Sequence, residues 1–166
     1  ALSIKASCQS TMNNIILGND KFQYYETVCG GQGAGKNHNG CDAIQTNMTN
    51  SRSTDPEIFE EEYPIILSEI SLVGKKQNNS KYAGGRGLRK IFFICDNMSC
   101  SLLSNNRKEH PFGLCGGEPG KLGSNIIIRN NVATEIEGNC QIELAIGDRL
   151  MITTPSGGGY GVKNNS

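Results

Sequence analysis

Thr54-Asp55-Pro56-Glu57-Ile58-Phe59-Glu60-Glu61-Glu62-Tyr63-Pro64 is the one stretch of this 166-residue chain that reads plainly as a helix. Thr54 or Asp55 supplies a cap, Pro56 sits in the first turn, and Glu57 stands three residues after Thr54, as a capping box requires. Pro64 forces a stop, because the residue before a proline is driven out of the helical region. The predicted helix therefore covers 55–62, about two turns, with Ile58 and Phe59 as its apolar face. Outward from it, no other segment carries a long 3.6-residue apolar stripe. Glycine and asparagine are abundant instead, and short apolar runs lie between turn-forming clusters. That pattern predicts strands at 22–28, 65–73, 89–94, 98–103, 125–129, 141–145 and 149–153. Lys75 to Ser80 reads as a polar turn, Tyr82 to Gly87 as a glycine bend, His110 to Gly120 as a turn-rich crossing, and Gly147-Asp148 as a turn. The expected fold is mainly β, a β-rich α+β domain of short strands and glycine turns with one short helix near 55–62. No internal repeat or long linker divides the chain, so residues 1–166 are expected to form a single domain.

Bulk properties narrow the function. Sixteen basic and sixteen acidic residues give a net charge of zero, and no basic, aromatic-interleaved patch suggests a nucleic-acid partner. The longest apolar runs, Ile91 to Cys95 and Ile126 to Ile128, are far too short for a membrane-spanning helix. The first residues lack the charged start and apolar core of a secretion signal, which points to the cytoplasm. Seven cysteines, an odd number without a CxxC pair, are expected to be free thiols. With only two histidines, their spacing fits no common zinc site, and no metal ligands are expected.

Several motifs carry possible chemistry. Asn13 and Asn14, in Cys8-Gln9-Ser10-Thr11-Met12-Asn13-Asn14, offer amides that can donate to a carbonyl oxygen and accept from an N–H without adding charge. The same amides could simply stabilise a turn. Tyr24-Tyr25-Glu26-Thr27 places a carboxylate in an otherwise uncharged strand. Glu26 could be a general base, a ligand or the partner of Arg52, since a buried carboxylate is costly unless paired. Gly30-Gly31-Gln32-Gly33-Ala34-Gly35-Lys36-Asn37 satisfies GxxxxGK, but Asn37 stands where Ser or Thr should meet magnesium. The residues that follow form a turn rather than the helix start a phosphate loop needs. It reads as a glycine turn. Thr49-Asn50-Ser51-Arg52-Ser53-Thr54-Asp55 brings uncharged hydrogen-bonding groups beside an arginine, with Asp55 better suited to capping than to catalysis. Histidine as a residue type can carry protons in catalysis, yet His38 and His110 are lone loop histidines, which are ordinarily solvated. Within Arg107 to Gly120, only Arg107 and Glu118 stand out from the structural glycines and prolines.

Taken in order, the first Asn block, Tyr-Tyr-Glu-Thr, Thr49 to Glu57, Arg107 to Gly120 and Thr154-Pro155-Ser156-Gly157-Gly158-Gly159-Tyr160-Gly161 resemble the hydantoinase B/5-oxoprolinase family. The resemblance runs from Ala6 to Gly161 and is to the carboxyl-terminal part of the large hydrolytic subunit. Arg-x-Thr-Asp-Pro-Glu is more similar to the oxoprolinase branch than to the N-methylhydantoinase branch. Cys8 and Ser10 depart from the family pattern, and Asn47 replaces a frequent His. The resemblance implies ATP-dependent opening of a cyclic amide such as 5-oxoproline or a hydantoin. ATP with Mg is expected on a partner subunit or domain, not on this chain. The implied partners are a hydantoinase A-like ATP-binding subunit and the amino-terminal part of the B subunit. Expected roles are catalytic for Glu26 and Asn50, and substrate-binding for Asn13, Asn14, Thr49 and Arg52. Arg52 would pair bidentately with a substrate carboxylate, which 5-oxoproline has and hydantoin lacks. The chain alone is expected to be inactive. The alternative is a non-catalytic assembly module of a hydantoinase- or carboxylase-like complex.

Overall fold

The computed structural model describes residues 4–9, 12–46, 49, 51–74, 77 and 79–163. Among them lie eleven strands and one helix. Four strands form an antiparallel sheet in the order β2-β1-β6-β9: β2 (Phe22–Thr27), β1 (Asn13–Asn19), β6 (Met98–Ser104) and β9 (Asn139–Leu144). Five more form a second antiparallel sheet in the order β3-β5-β10-β7-β8: β3 (Ile65–Val73), β5 (Gly87–Ile94), β10 (Arg149–Thr153), β7 (Ser124–Arg129) and β8 (Val132–Ile136). A small ribbon pairs β11 (Tyr160–Val162) with β4 (Ser80–Tyr82).

One hydrophobic cluster draws on both large sheets. Ile15, Leu17, Met98, Cys100 and Leu144 come from the first, and Leu88, Phe92, Ile94, Leu150 and Ile152 from the second. Side chains alternate across a strand, so these positions share parity and leave their neighbours facing outward. The helix α1 (Pro56–Glu62) closes one end of this core through Phe59, which stacks against Tyr24 at 4.7 Å and Phe92 at 5.9 Å.

The β-rich class and the helix stand as expected, with local differences. Asp55 rather than Thr54 caps the helix, accepting the Glu57 amide at 3.0 Å. Phe59 is buried but Ile58 is 52% exposed; successive helical residues lie about 100° apart, so only one of the two faces the core. Four strands were not anticipated. β1 holds Asn13 and Asn14 in extended backbone rather than in a turn, because both main chains of the neighbouring β2 and β6 pair with it. β8 is largely exposed and therefore lacks apolar alternation. Its hairpin with β7 turns at Asn130-Asn131, both at positive φ (51° and 62°), the backbone that tight two-residue hairpins need. β4 and β11 are too short to leave a pattern.

The glycine segments have a structural use. Gln32 donates to the Cys41 carbonyl at 3.0 Å, Gly85 to Gln32 at 2.8 Å, and Gly157 to Gly85 at 2.8 Å. These loops lie backbone against backbone: a Cβ at Gly31 would run into the Gly85 carbonyl, and one at Gly157 into that of Gln32. Lys36-Asn37 is a turn, with Gly35 and His38 exchanging backbone hydrogen bonds. The GxxxxGK loop thus lacks the following helix that phosphate binding requires.

Candidate functional site

Glu26 faces the core from β2, with Tyr24 two residues before it on the same side. Across the sandwich, Lys90 has the inward parity of β5, between Leu88 and Phe92. Its Nζ meets Glu26 Oε1 at 2.6 Å, and the two side chains are only 3% and 4% exposed. Ser53 Oγ donates to the same carboxylate oxygen at 2.9 Å and accepts from Lys90 Nζ at 2.9 Å. Tyr24 Oη donates to the other oxygen at 3.0 Å. Burial, reinforced by the Glu26 charge, pushes the Tyr24 phenol above its ordinary range, so it stays a donor. An ion pair this dry is tolerable only when every partner is in place, which Tyr24 and Ser53 secure.

Glu26 and Ser53 open on a cleft of about 390 Å³, lined also by Cys29, Ala43, Ile44, Gln45, Ser51 and Leu88. That volume suits a small molecule. Burial pushes the Cys29 thiol up, which keeps it protonated and a poor nucleophile. Gln45 donates from Nε2 to the Thr27 carbonyl at 2.6 Å, while its Oε1 is buried without a partner among the described residues.

The other residues singled out from sequence do not gather here as expected. Asn13 and Asn14 are adjacent on a strand and so point to opposite faces. Asn13 accepts from Arg107 at 2.9 Å and donates to Gln9 at 3.0 Å, whereas Asn14 accepts from Thr27 Oγ1 at 2.8 Å. The two amides cannot hold one ring from the same side. Thr49 spends its hydroxyl on the Thr46 carbonyl at 2.7 Å. Asn50 and Asn47 lie outside the described residues. Arg52 is exposed, and the cation paired with Glu26 is Lys90. His38 and His110 are surface residues bonded to nearby carbonyls. Cys29, Cys41, Cys95, Cys100, Cys115 and Cys140 are free thiols. Among the described residues, no group of three or more His, Cys, Asp or Glu side chains could hold a metal.

Lys90, Ser53 and Tyr24 were missed by sequence reasoning. A signal for Lys90 existed: it is the one charge at the apolar parity of its strand, flanked two residues away by Leu88 and Phe92. A second polar strut crosses the sandwich elsewhere. Arg107 donates to Asn125 Oδ1 on β7 at 2.8 Å as well as to Asn13 on β1. Burial pushes its guanidinium down to about 10, still a cation at neutral pH. Glu118 accepts from Asn79 Nδ2 at 2.8 Å and fastens two loops together.

The family model described as Hydantoinase B/oxoprolinase matches residues 1–163. The 5-oxoprolinase of Dictyostelium discoideum is 39% identical over 161 residues, which are 96% of this chain and 13% of that protein. The 5-oxoprolinase 1 of Arabidopsis thaliana is 40% identical over 157 residues, 94% of this chain and 12% of that protein. This chain therefore spans about an eighth of the length of these curated relatives. The crystal structure of an ATP-dependent caprolactamase from Pseudomonas jessenii shares the fold, with a TM-score of 0.79 at 22% identity, covering 95% of this chain and 30% of that one.

Proposed function

The chain belongs to the hydantoinase B/oxoprolinase family, and from that premise we propose that it is part of an ATP-dependent cyclic amide hydrolase and contributes to lactam ring opening. The observation that carries this reading is the near-full-length similarity of the chain to proteins named 5-oxoprolinase. The preferred substrate is 5-oxoproline or a hydantoin-like ring. ATP and Mg belong on a hydantoinase A-like partner subunit or domain, since the glycine loop of this chain does not fit a nucleotide phosphate. ATP supplies phosphorylation of the ring carbonyl oxygen, which turns a poor electrophile into one with a good leaving group.

On this chain, Glu26 polarises the attacking water, directly or through the Ser53 hydroxyl, and Lys90 supplies the compensating charge. Positioned proton transfer of this kind contributes about 10²–10⁴ in rate. Arg52, exposed between two cleft residues, is available to a substrate carboxylate, and Asn50 is retained as a catalytic candidate from the sequence. The setting is cytoplasmic in this reading; no described helix is long and apolar enough to cross a membrane. The rest of the large subunit and the ATP-binding subunit are the partners. A tagged pull-down of this chain from its own cells, assayed for ATP-dependent glutamate release from 5-oxoproline, tests it. Activity with a copurifying larger partner is expected, and an inactive, partnerless chain would count against it.

One observation favours a second reading, a non-catalytic assembly module. Asn13, Asn14 and Thr49 all spend polar atoms on the chain's own fold. Arg52→Ala in the assembled enzyme separates the two. A substrate role loses activity with assembly kept, and a scaffold role loses assembly.

A further inference from the structure

Antiparallel sandwiches ordinarily show water an alternating face, apolar inside and polar outside, whereas strands buried on both faces read as continuous apolar runs. Three adjacent strands of the five-stranded sheet break the alternation. β5 runs Ile91-Phe92-Phe93-Ile94, β10 runs Leu150-Met151-Ile152, and β7 runs Ile126-Ile127-Ile128. The inward members, Phe92, Ile94, Leu150 and Ile152, are at most 3% exposed. Most outward members are large and apolar too, with the exposed Arg149 set between Phe93 and Ile128 and Glu69 of β3 beside Ile91. Ile91 pairs with Met151, which pairs with Ile126, while Phe93 lies beside Ile66 on one flank. Ile66 is 45% exposed, and Ile91, Phe93, Ile126, Ile128 and Met151 are half-buried. Six large apolar side chains grouped on one outer face, with a single arginine among them, mark a contact site rather than a solvated face.

We propose that the outer face of the β3-β5-β10-β7 sheet is covered by the remainder of the same full-length polypeptide. The proposal rests on the reading of this chain as one part of a longer subunit. It commits to that occupant because of length. The two 5-oxoprolinases carry about seven-eighths of their sequence outside the matched region, which is 13% of one and 12% of the other. That excess is ample to bury one sheet face, and no second copy is needed to do so.

The test uses the full-length protein, with Met151 at the centre of the patch as a built-in reporter. Peroxide converts an accessible methionine to its polar sulfoxide. Met151 should be oxidised about as slowly as the core residue Met98, which is 2% exposed, and equally slowly at micromolar and nanomolar protein. Met151→Lys should lower the thermal midpoint by about 10 °C or more, whereas Val132→Lys, at a position 64% exposed on β8, should leave it unchanged. Three results would overturn the proposal: a Met151→Lys midpoint equal to wild type, protection that disappears on dilution (a second copy), or rapid Met151 oxidation in the folded protein. An endogenous product no longer than this chain would remove the longer-subunit reading together with its occupant, whereas a long product with rapid Met151 oxidation would remove the occupant alone.

Discussion

Glu26 and Lys90 stand on strands of opposite sheets, so removing either leaves the other's charge stranded in the core. Lys90→Met alone should cost about 3–5 kcal/mol, and the apolar pair Glu26→Leu with Lys90→Met should recover most of that loss. Urea denaturation followed by circular dichroism reads both values. If the single change proves neutral, the pair is not buried as the distances imply. Stability regained without activity would show that the pair is kept for chemistry rather than for folding. Thiols give a second check. Burial pushes Cys100 up to about 12, so alkylation at pH 8 should spare it while exposed thiols such as Cys41 and Cys95 react. Labelling of Cys100 before unfolding, read by mass spectrometry, would contradict its placement. Glu26 was legible in the sequence as a charge in an uncharged strand. Its true cation was not, because Lys90 is 64 residues away and reaches Glu26 only once two sheets stack.

At the scale of elements, the β9–β10 turn is held by Asp148. Its carboxylate accepts from Arg129 Nη2 at 2.6 Å and from the Ala145 amide at 2.8 Å. The Arg129 hydrogen bond, more than the Ala145 amide, holds Asp148 below the ordinary carboxylate range. A depressed folded value stabilises the fold above the unfolded value of about 3.9, and that contribution fades as pH falls through the lower folded value. Asp148→Asn should therefore melt below wild type at pH 7, with the gap closing as the solution is acidified below about pH 4. A gap that stays constant across that range would exclude the ionised contact as its source. Gly31→Ala should cost about 3 kcal/mol, because the added Cβ meets the Gly85 backbone, which cannot swing aside as a side chain would. A melting curve equal to wild type would mean the loops are not stacked as described. The helix and the strands at 65–73 and 149–153 were readable to the residue or nearly so, since Pro56, Pro64 and apolar alternation are local signals. β1 and β8 were not. The asparagines of β1 are strand residues only because β2 and β6 flank them, and β8 is held by its hairpin rather than by burial.

For the molecule as a whole, two sheets share one core, an inter-sheet ion pair opens on a small cleft, and glycine loops pack backbone against backbone alongside. The family was legible from ordered motifs, which are local. The assembly of Tyr24, Glu26, Ser53 and Lys90 was not, because it joins strands distant in sequence. The claim at the centre is that this cleft takes part in ring opening. The measurement that tests it most directly is ATP-dependent glutamate release from 5-oxoproline by the assembled full-length enzyme and by its Glu26→Gln variant. Wild type should turn over, and the assembled variant, assayed below its lowered melting midpoint, should lose about 100-fold or more in kcat. A correctly assembled Glu26→Gln enzyme running at the wild-type rate would contradict the account.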